Sequence, residues 1–506
     1  MAEPWKPHAG QRKAVRYLVE HAAAGLFADP GVGKTSTVYA AFEYLRRRGL
    51  ARRMLVIAPL RPAQLVWPAE REKWKDFQHL RVEVLHGPKK DAALARESDV
   101  CVINPEGLDW LIGAVKTKTR TGKVAVSADL RAFKALGFDT LVVDELTNFK
   151  HTNSVRFKTL KAVLDTFGRR WGLTGTPAPN GLIDLFGQCF VLDQGRSLGP
   201  YVTHYRSKYF LPGYDGFSWV LRKGAEEEIY ERLKPLVLRL RAEDYVDMPD
   251  LVENTISFEL PPEARKVYDH LEEELIVQLG EDVVTAANAA AATTKLRQVA
   301  SGGLYLEADT VALFKPAQRK GREWAMIHDE KTELLAELVD ELQGTPLLVA
   351  YDFKHDLERI QRRWPDVPYL GGGVTERRAR ELEAAWNAGE LPLLLGHPSS
   401  IGHGLNLQAA GNHVCWYSLT YDREKYDQLN ARVRRQGSRH ARVFVHHLVA
   451  KGTVDEVIGY ALRRKAKVQT ALLEALRGRN ETSRRDMAPA ARTRASASAR
   501  RVGLEL

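Results

Sequence analysis

The stretch FADPGVGKTS, from Phe27 to Ser36, connects an apolar run typical of a β-strand to TVYAAFEYL, a segment typical of a helix. Backbone N–H groups in such a glycine-rich turn, together with the N-terminus of the following helix, bind phosphate groups. The side chain of Lys34 then reaches the outer phosphates, and the hydroxyl of Thr35 meets Mg²⁺. The stretch therefore predicts a nucleotide-binding loop, with Ala28 in place of the usual first glycine. The alternative is a glycine-rich connection with an incidental lysine.

A second stretch, LVVDELTNFK (Leu141 to Lys150), ends an apolar run with the adjacent acids Asp144 and Glu145. Taken alone, such a pair is usually the polar end of a buried strand. An ATPase with a phosphate loop, however, needs one carboxylate in the Mg²⁺ shell and a second group that activates or positions water beside the γ-phosphate. The pair is therefore predicted to supply both. Another apolar run, in WGLTGTPAPN, ends with Thr174 and Thr176. These residues are either an ordinary exit from a strand or a relay that couples nucleotide state to bound nucleic acid.

Apolar, β-branched runs alternate with amphipathic segments in two parts of the chain, which is typical of parallel sheets with crossover helices. The first part contains AAGLFADP, RRMLVIAP, DVCVINP, DTLVVDE and RRWGLTGTP, and the second contains TPLLVAYDF, VPYLGGG, LPLLLGHP, GNHVCWYS and ARVFVHHLV. Between them the pattern is irregular from Gln188 to Pro249 and helical from Pro261 to Val299. The predicted fold class is α/β, with two parallel-sheet lobes (1–187 and 326–475), helical insertions and an interlobe segment between them (188–325), and a disordered basic C-terminal tail (476–506).

The composition favours a polyanionic partner, with nucleic acid as the first candidate. Lys and Arg number 75 against 64 Asp and Glu, giving a net charge of +11 and a pI near 9.3, a balance typical of nucleic-acid-binding proteins. Cys101, Cys189 and Cys415 form no CxxC pair, so neither a disulfide framework nor a structural zinc is predicted. No apolar run approaches the ~18 residues that span a bilayer. The first residues, MAEPWKPHAGQRK, carry no signal-peptide core, so we expect a soluble intracellular protein without a membrane partner.

Two basic segments stand apart from this pattern. KTKTRTGK, Lys116 to Lys123, lies between apolar runs and is predicted to be an exposed loop. The tail after Leu476 is poor in large apolar residues and cannot form a core. Either segment is solubilising surface or contacts nucleic acid.

The second part of the chain has no phosphate loop but contains YDQLNARVRRQGS, Tyr426 to Ser438. Arg432 and Arg435 lie three residues apart on a predicted helix and so share one face. Arginines at this spacing usually form a solvated basic face. The alternative is that this lobe brings their guanidinium groups across a cleft to the γ-phosphate, as arginine fingers do in other NTPases.

Taken in order, these stretches resemble the motifs of superfamily-two helicases, and more closely the Swi/Snf-like branch of DNA-dependent ATPases in its compact phage and bacterial form. The resemblance runs from about Lys6 to Leu476. The matching stretches, from the Q motif through motifs I, Ia, II, III, IV, V and VI, are PHAGQRKAV, ADPGVGKT, VIAPLRPAQLVWPAE, VVDELTNFK, LTGTPAPN, LLVAYDF, GHGLNLQAA and QLNARVRRQG. Such a resemblance implies two RecA-like lobes.

It also implies a role for individual residues. Gln11 would read the adenine edge, Glu145 would activate water, and the second lobe would supply two arginine fingers. Thr35 and Asp144 would be the metal ligands for Mg²⁺. The remaining implied site residues bind ATP, line the cleft between the lobes or act as fingers: Gly31, Gly33, Lys34, Gly404, Asn406, Arg432 and Arg435.

Two positions depart from the family pattern. Where relatives often have DEAH, this chain has DELT, so Thr147 replaces a histidine that links nucleotide state to motif III, and a hydroxyl would have to take over that coupling. Ala431 stands where motif VI usually carries an Asp, so one stabilising contact to the second lobe is predicted to be missing. Neither change removes the metal ligand, the base or the arginines.

The expected function is an ATP-dependent DNA motor, a helicase or double-stranded DNA translocase, in replication, recombination or repair. DNA is the expected partner, with double strands favoured over single strands. We further expect a monomer in the cytoplasm of a bacterial or phage-infected host cell, with a protein partner that sets its task. The alternatives are a nucleotide-gated DNA-binding clamp with little turnover and an RNA-dependent ATPase.

Overall fold

A computed structural model describes most of the chain: residues 2–118, 124–175, 177–178, 181–212, 219–245, 247–281, 286–306, 324–401, 405–459 and 462. Three predictions fall outside these residues: the disordered tail, the position of Thr176, and the position of Gly404. Among the helices of the described residues, none is long and apolar enough to cross a membrane.

The first lobe is built around a seven-stranded parallel sheet with the strand order β11-β1-β8-β7-β2-β4-β3. In chain order, its elements are α1 (Ala9–Glu20), β1 (Ala23–Ala28), α2 (Lys34–Arg47), β2 (Met54–Ile57), α3 (Trp67–Lys73), β3 (Val82–Val84), α4 (Lys90–Ala95), β4 (Val100–Ile103), α5 (Leu108–Leu111), β5 (Val115–Lys118), β6 (Val124–Ser127), α6 (Leu130–Ala135), β7 (Thr140–Asp144), α7 (Val155–Lys161), β8 (Arg169–Thr174), α8 (Leu185–Asp193), α9 (Val202–Tyr209), β9 (Phe210–Pro212), β10 (Trp219–Leu221), α10 (Ala225–Leu233) and β11 (Val237–Leu240).

The second lobe is built around a six-stranded parallel sheet with the order β12-β19-β18-β15-β17-β16. Its elements are β12 (Asp250–Phe258), α11 (Pro262–Glu281), α12 (Ala286–Ser301), β13 (Gly303–Tyr305), β14 (Trp324–Met326), α13 (Glu330–Glu341), β15 (Leu347–Ala350), α14 (Lys354–Arg363), β16 (Tyr369–Leu370), α15 (Glu376–Ala388), β17 (Leu393–Gly396), α16 (Pro398–Ile401), β18 (His413–Trp416), α17 (Arg423–Val433) and β19 (Arg442–Ala450).

The apolar runs in the sequence are strands because both faces of each sheet are covered. In β7, Val142 packs in one buried cluster, whereas its neighbours Leu141 and Val143 pack in another on the opposite face. A strand buried on both sides carries a continuous apolar run rather than an alternating one. The predicted α/β fold with two parallel-sheet lobes is confirmed, and each of the ten apolar runs contains a strand of one of the two sheets.

The predicted insertion at 188–325 is corrected by the sheets themselves. Strand β11 lies within that range but pairs with β1 of the first sheet, and β12 pairs with β19 of the second along Asp250–Phe258. Both are edge strands. Strand β11 is buried, but Arg239 interrupts its apolar run, and β12 alternates between exposed and half-buried residues over most of its length. Neither therefore has the continuous apolar run of the central strands. The first lobe therefore extends to Leu240, and the second begins at Asp250.

The predicted exposed loop at Lys116–Lys123 is also corrected in part. Lys116 and Lys118 lie in β5, which pairs antiparallel with β6 as a hairpin, and residues 119–123 are outside the described residues. The exposure of β5 agrees with the prediction.

Candidate active site

The predicted nucleotide-binding loop lies between β1 and α2 at the carboxyl edge of the first sheet. Gly31 and Gly33 have φ values of 89° and 76°, a backbone region that favours glycine. A Cβ on Gly33 would lie 2.3 Å from the Gln11 amide nitrogen, so a side chain there would displace this contact. Lys34 begins α2, and its Nζ donates to the carbonyls of Ala28, at 2.8 Å, and Asp29, at 3.3 Å. The loop thus has the backbone shape and the cation of a phosphate site.

The two predicted acids are at the end of β7. The backbone of Glu145 has a φ of 53°, an uncommon conformation for a residue other than glycine that is often found at functional sites. Among the described residues, its buried Oε2 atom has no hydrogen-bond partner. Asp144 accepts a hydrogen bond from the Trp67 indole N–H at 3.0 Å. Burial, and secondly the charge of Glu145, raise the pKa of Asp144 to about 6.

These groups fit a magnesium nucleotide. Burial lowers the pKa of Lys34, while the negative charges of Glu145, Asp144 and Asp29 oppose that shift. The half-buried Lys34 ammonium group interacts with the charges of two carboxylates, one of which has an oxygen without a hydrogen-bond partner among the described residues. Together they provide donors for phosphate and oxygen ligands for a hard cation. Thr35 lines one cavity together with Lys34, Asp144 and Glu145.

The two predicted arginines, Arg432 and Arg435, line this cavity from the second lobe. They do not both lie on the same helix. Helix α17 includes Arg432 and ends at Val433, so Arg435 lies beyond it. The prediction that both share a helical face is wrong, because Arg434 is the C-cap with a φ of −80° and a ψ of 85°. Burial lowers the pKa of Arg432 to about 10, with Arg435 the next cause, and Glu145 acts in the opposite direction.

Arg435 and Asn406 lie together beside the nucleotide-binding loop. A Cβ on Gly31 would be 3.2 Å from the Arg435 Cγ atom, and the Arg435 guanidinium donates to the Asn406 side-chain oxygen. The Asn406 backbone N–H donates to Glu383 at 2.6 Å. Burial lowers the pKa of Arg435. The site residues that share one cavity of about 660 Å³ are Gly31, Gly33, Lys34, Thr35, Asp144, Glu145, Asn406, Arg432 and Arg435.

Gln11 lies beside the loop rather than in this cavity. Its amide Nε2 donates to Ser36 Oγ at 3.2 Å and to the Gly33 carbonyl at 3.4 Å. Its Oε1 accepts from the His8 backbone N–H at 3.2 Å. In this structure the Gln11 carboxamide is therefore hydrogen-bonded to the loop and to the residue before α1. To bind the adenine edge, it would have to exchange these hydrogen bonds for new ones to the base.

Thr147 contacts the second lobe, a connection that its sequence position did not reveal. Its hydroxyl donates to Glu424 Oε1 at 3.0 Å, and Gln428 Nε2 donates to the same oxygen at 3.1 Å. Burial, and secondly the charge of Glu145, raise the pKa of Glu424 to about 7.

Trp67 is a further site residue that the sequence analysis missed, although it lies in the quoted stretch VIAPLRPAQLVWPAE. It is fully buried, and its ring is packed edge-on against Tyr39, with 5.3 Å between centroids. Tyr39 also donates its hydroxyl to the Trp67 carbonyl at 2.9 Å. These contacts hold the indole N–H toward Asp144.

We expect Trp67→Phe to weaken Mg²⁺ binding about 10-fold, because an outer-shell hydrogen bond to a metal ligand typically contributes a factor of 10–100. The measurement is the Mg²⁺ dependence of fluorescent ATP-analogue binding. Trp110→Phe is the matched control, since Trp110 donates its indole N–H to exposed Asp91 at 3.1 Å. Equal Mg²⁺ dependence in the two variants would contradict a role for Trp67 in orienting Asp144.

The chain is similar in sequence to the proteins of a known family. The sequence model of a family described as "SNF2-related domain" matches residues 10–308. Protein p41 of Acyrthosiphon pisum secondary endosymbiont phage 1 is 35% identical, over 93% of this chain and 98% of its own length. The Homo sapiens DNA annealing helicase and endonuclease ZRANB3 is 23% identical over 93% of this chain but only 40% of its own length. The solved Sulfolobus solfataricus SWI2/SNF2 ATPase core in complex with dsDNA is 21% identical over 93% of this chain and 94% of that chain, with a TM-score of 0.41.

Proposed function

Since the chain belongs to the SNF2-related family, we propose that it is an ATP-driven motor that hydrolyses ATP and moves along or remodels DNA. The proposal includes one of two specific tasks. The protein either separates DNA strands, as a helicase does, or moves along double-stranded DNA, as a translocase does.

One observation carries the proposal: a single cavity contains groups for phosphate binding, water activation and charge stabilisation, contributed by both lobes. Lys34 and Glu145 come from the first lobe and Arg432 from the second. Their charges interact, because Glu145 raises and Arg432 lowers the pKa of Lys34, while burial lowers it most. An ATPase that couples hydrolysis to lobe movement needs such a site, because the reaction is then sensitive to how the lobes meet.

Each residue has a distinct part in the proposed reaction. Lys34 and the loop N–H groups hold the phosphates, and Thr35 and Asp144 would hold Mg²⁺. The metal, when bound, neutralises charge on the phosphate oxygens. Glu145 accepts the proton of the attacking water. The Arg432 and Arg435 guanidinium groups stabilise the negative charge that develops on the transferred phosphoryl group.

DNA is the proposed partner on the basis of charge and family membership. The chain has a net charge of +11, and positive surfaces attract the phosphate backbone in a way that weakens with salt. The relative ZRANB3 is described as a DNA annealing helicase and endonuclease. We propose double-stranded DNA as the preferred track, with ATP-driven lobe opening and closing as the source of movement.

The decisive experiment measures ATP hydrolysis alone and with double-stranded DNA, single-stranded DNA or RNA, each at rising salt. We expect double-stranded DNA to stimulate turnover most, and its apparent affinity to fall steeply between about 50 and 200 mM salt. Tight ATP and DNA binding without turnover would instead favour a nucleotide-gated clamp. Stimulation by RNA above that by either DNA would favour an RNA-dependent ATPase. Triplex-displacement and duplex-unwinding assays then distinguish translocation from strand separation.

A further inference from the structure

The hydrogen bond between Thr147 and Glu424 joins the two lobes close to the proposed catalytic base. Thr147 lies in a short 3₁₀ segment, Leu146–Phe149, that directly follows Glu145, and its side chain is buried. Glu424 lies in the first turn of α17, in the second lobe. The bond length is 3.0 Å, within the normal range for a hydroxyl donor. The turn that follows the base is thus attached directly to one end of a helix from the opposite lobe.

The same helix has the proposed arginine finger near its other end. Helix α17 carries Glu424, Gln428 and Arg432 at intervals of four residues, so the three side chains lie along one face. At 1.5 Å per residue, Glu424 and Arg432 are about 12 Å apart along the helix axis. Gln428 Nε2 donates to Glu424 Oε1 at 3.1 Å and also lines the cavity. One rigid element thus connects the interlobe bond to the guanidinium group in the cavity.

We propose that Glu424 is a positioning residue for ATP hydrolysis. By accepting a hydrogen bond from the Thr147 hydroxyl, Glu424 fixes α17 against the turn that follows Glu145, and so aligns Arg432 with the proposed base. This inference rests on the proposed function. The bond forms only when the lobes meet, so it links lobe closure to the placement of the arginine. It also gives Thr147 a role, at the position where relatives often have histidine.

If the Thr147–Glu424 bond had a purely structural role, its loss would lower stability rather than the catalytic rate. Each lobe has its own sheet and its own buried apolar clusters, so losing one interlobe hydrogen bond removes no contact within either core. The effect should fall on the catalytic rate rather than on lobe stability. A matched bond within one lobe provides the contrast: buried Thr159 donates its hydroxyl to Asp109 at 2.8 Å.

The test compares Thr147→Val, Glu424→Ala, Glu424→Gln and the control Thr159→Val in DNA-stimulated ATP hydrolysis. Losing one partner of a buried hydrogen bond corresponds to roughly a 5- to 100-fold effect. We expect Thr147→Val and Glu424→Ala each to lower kcat by about that factor, with KM for ATP changed less than about twofold. Glu424→Gln should retain near-normal turnover, because its amide oxygen still accepts the hydroxyl. The double variant T147V/E424A should be no slower than the slower single variant.

The control variant should show the opposite pattern, with stability affected and the catalytic rate unaffected. Thr159→Val is expected to lower the thermal unfolding temperature while leaving kcat unchanged. Normal kcat in both Thr147→Val and Glu424→Ala, alongside an inactive Glu145→Gln, would overturn the positioning role and leave the proposed function intact. Loss of turnover in a stably folded Glu424→Gln would also overturn it, because the acceptor oxygen would still be present. A wild-type chain that hydrolyses no ATP with any nucleic acid would overturn both proposals.

Discussion

Glu145→Gln is expected to lower kcat for DNA-stimulated ATP hydrolysis by about 10²- to 10⁴-fold, the usual contribution of a positioned general base. The amide has the shape of the carboxylate but cannot accept the proton of the attacking water. ATP affinity should be retained, because Lys34 and the loop remain. Losing the neighbouring negative charge also removes one of the causes that raise the pKa of Asp144, so that carboxylate ionises more readily. Steady-state hydrolysis and equilibrium binding of a fluorescent ATP analogue measure the two effects separately.

Glu263→Gln is the control for this variant. Glu263 is in the first turn of α11, and its side chain is 85% exposed, so the same chemical change there should leave both measurements unaltered. Normal turnover in Glu145→Gln would contradict the assignment of the base. Loss of analogue binding without folding defects would instead assign Glu145 to nucleotide binding.

Arg432→Ala is expected to lower kcat by roughly 10³- to 10⁵-fold, as removal of an arginine finger does in other NTPases. The half-buried Arg432 lines the same cavity as Glu145 and Asp144 and interacts with their charges. Its own charge is needed most when negative charge develops in the transition state. The KM for ATP should therefore change far less than kcat. Single-turnover hydrolysis at saturating ATP and DNA isolates this chemical step.

Arg377→Ala provides the matched control on the second lobe. Arg377 lies on α15 with its side chain 90% exposed and pairs with Glu381 at 3.0 Å, a surface contact that contributes little. Its loss should leave hydrolysis unchanged. A defect in Arg432→Ala confined to ATP affinity would contradict the finger role and indicate that this arginine only binds the ground state.

The sequence was most informative where chemistry requires a contiguous motif. A nucleotide-binding loop needs glycines at fixed positions before its lysine, and the proposed base has to follow the proposed metal ligand directly at the end of one strand. Such requirements act through neighbouring residues and can therefore be recognised in a single sequence. The buried central strands were predictable for a related reason, since a strand covered on both faces has a continuous apolar run.

Contacts between distant residues could not be predicted in this way. Trp67 and Asp144 are 77 residues apart, and Thr147 and Glu424 are 277 apart; each pair is brought together only by the tertiary structure. The helix predicted to hold both arginines ends at Val433, two residues before Arg435. In each case the missing information was the relative placement of elements rather than the type of residue.

The short segment between the edge strands β11 and β12 affects how strong the contacts between the lobes need to be. In the described part of the chain, the backbone passes from the first sheet to the second once, through residues 241–249. At ~3.4 Å per residue this tether extends to at most about 30 Å. A short tether keeps its ends at an effective concentration on the order of millimolar, so individually weak interlobe contacts can form and break repeatedly without separating the lobes. The short tether thus makes strong permanent adhesion between the lobes unnecessary.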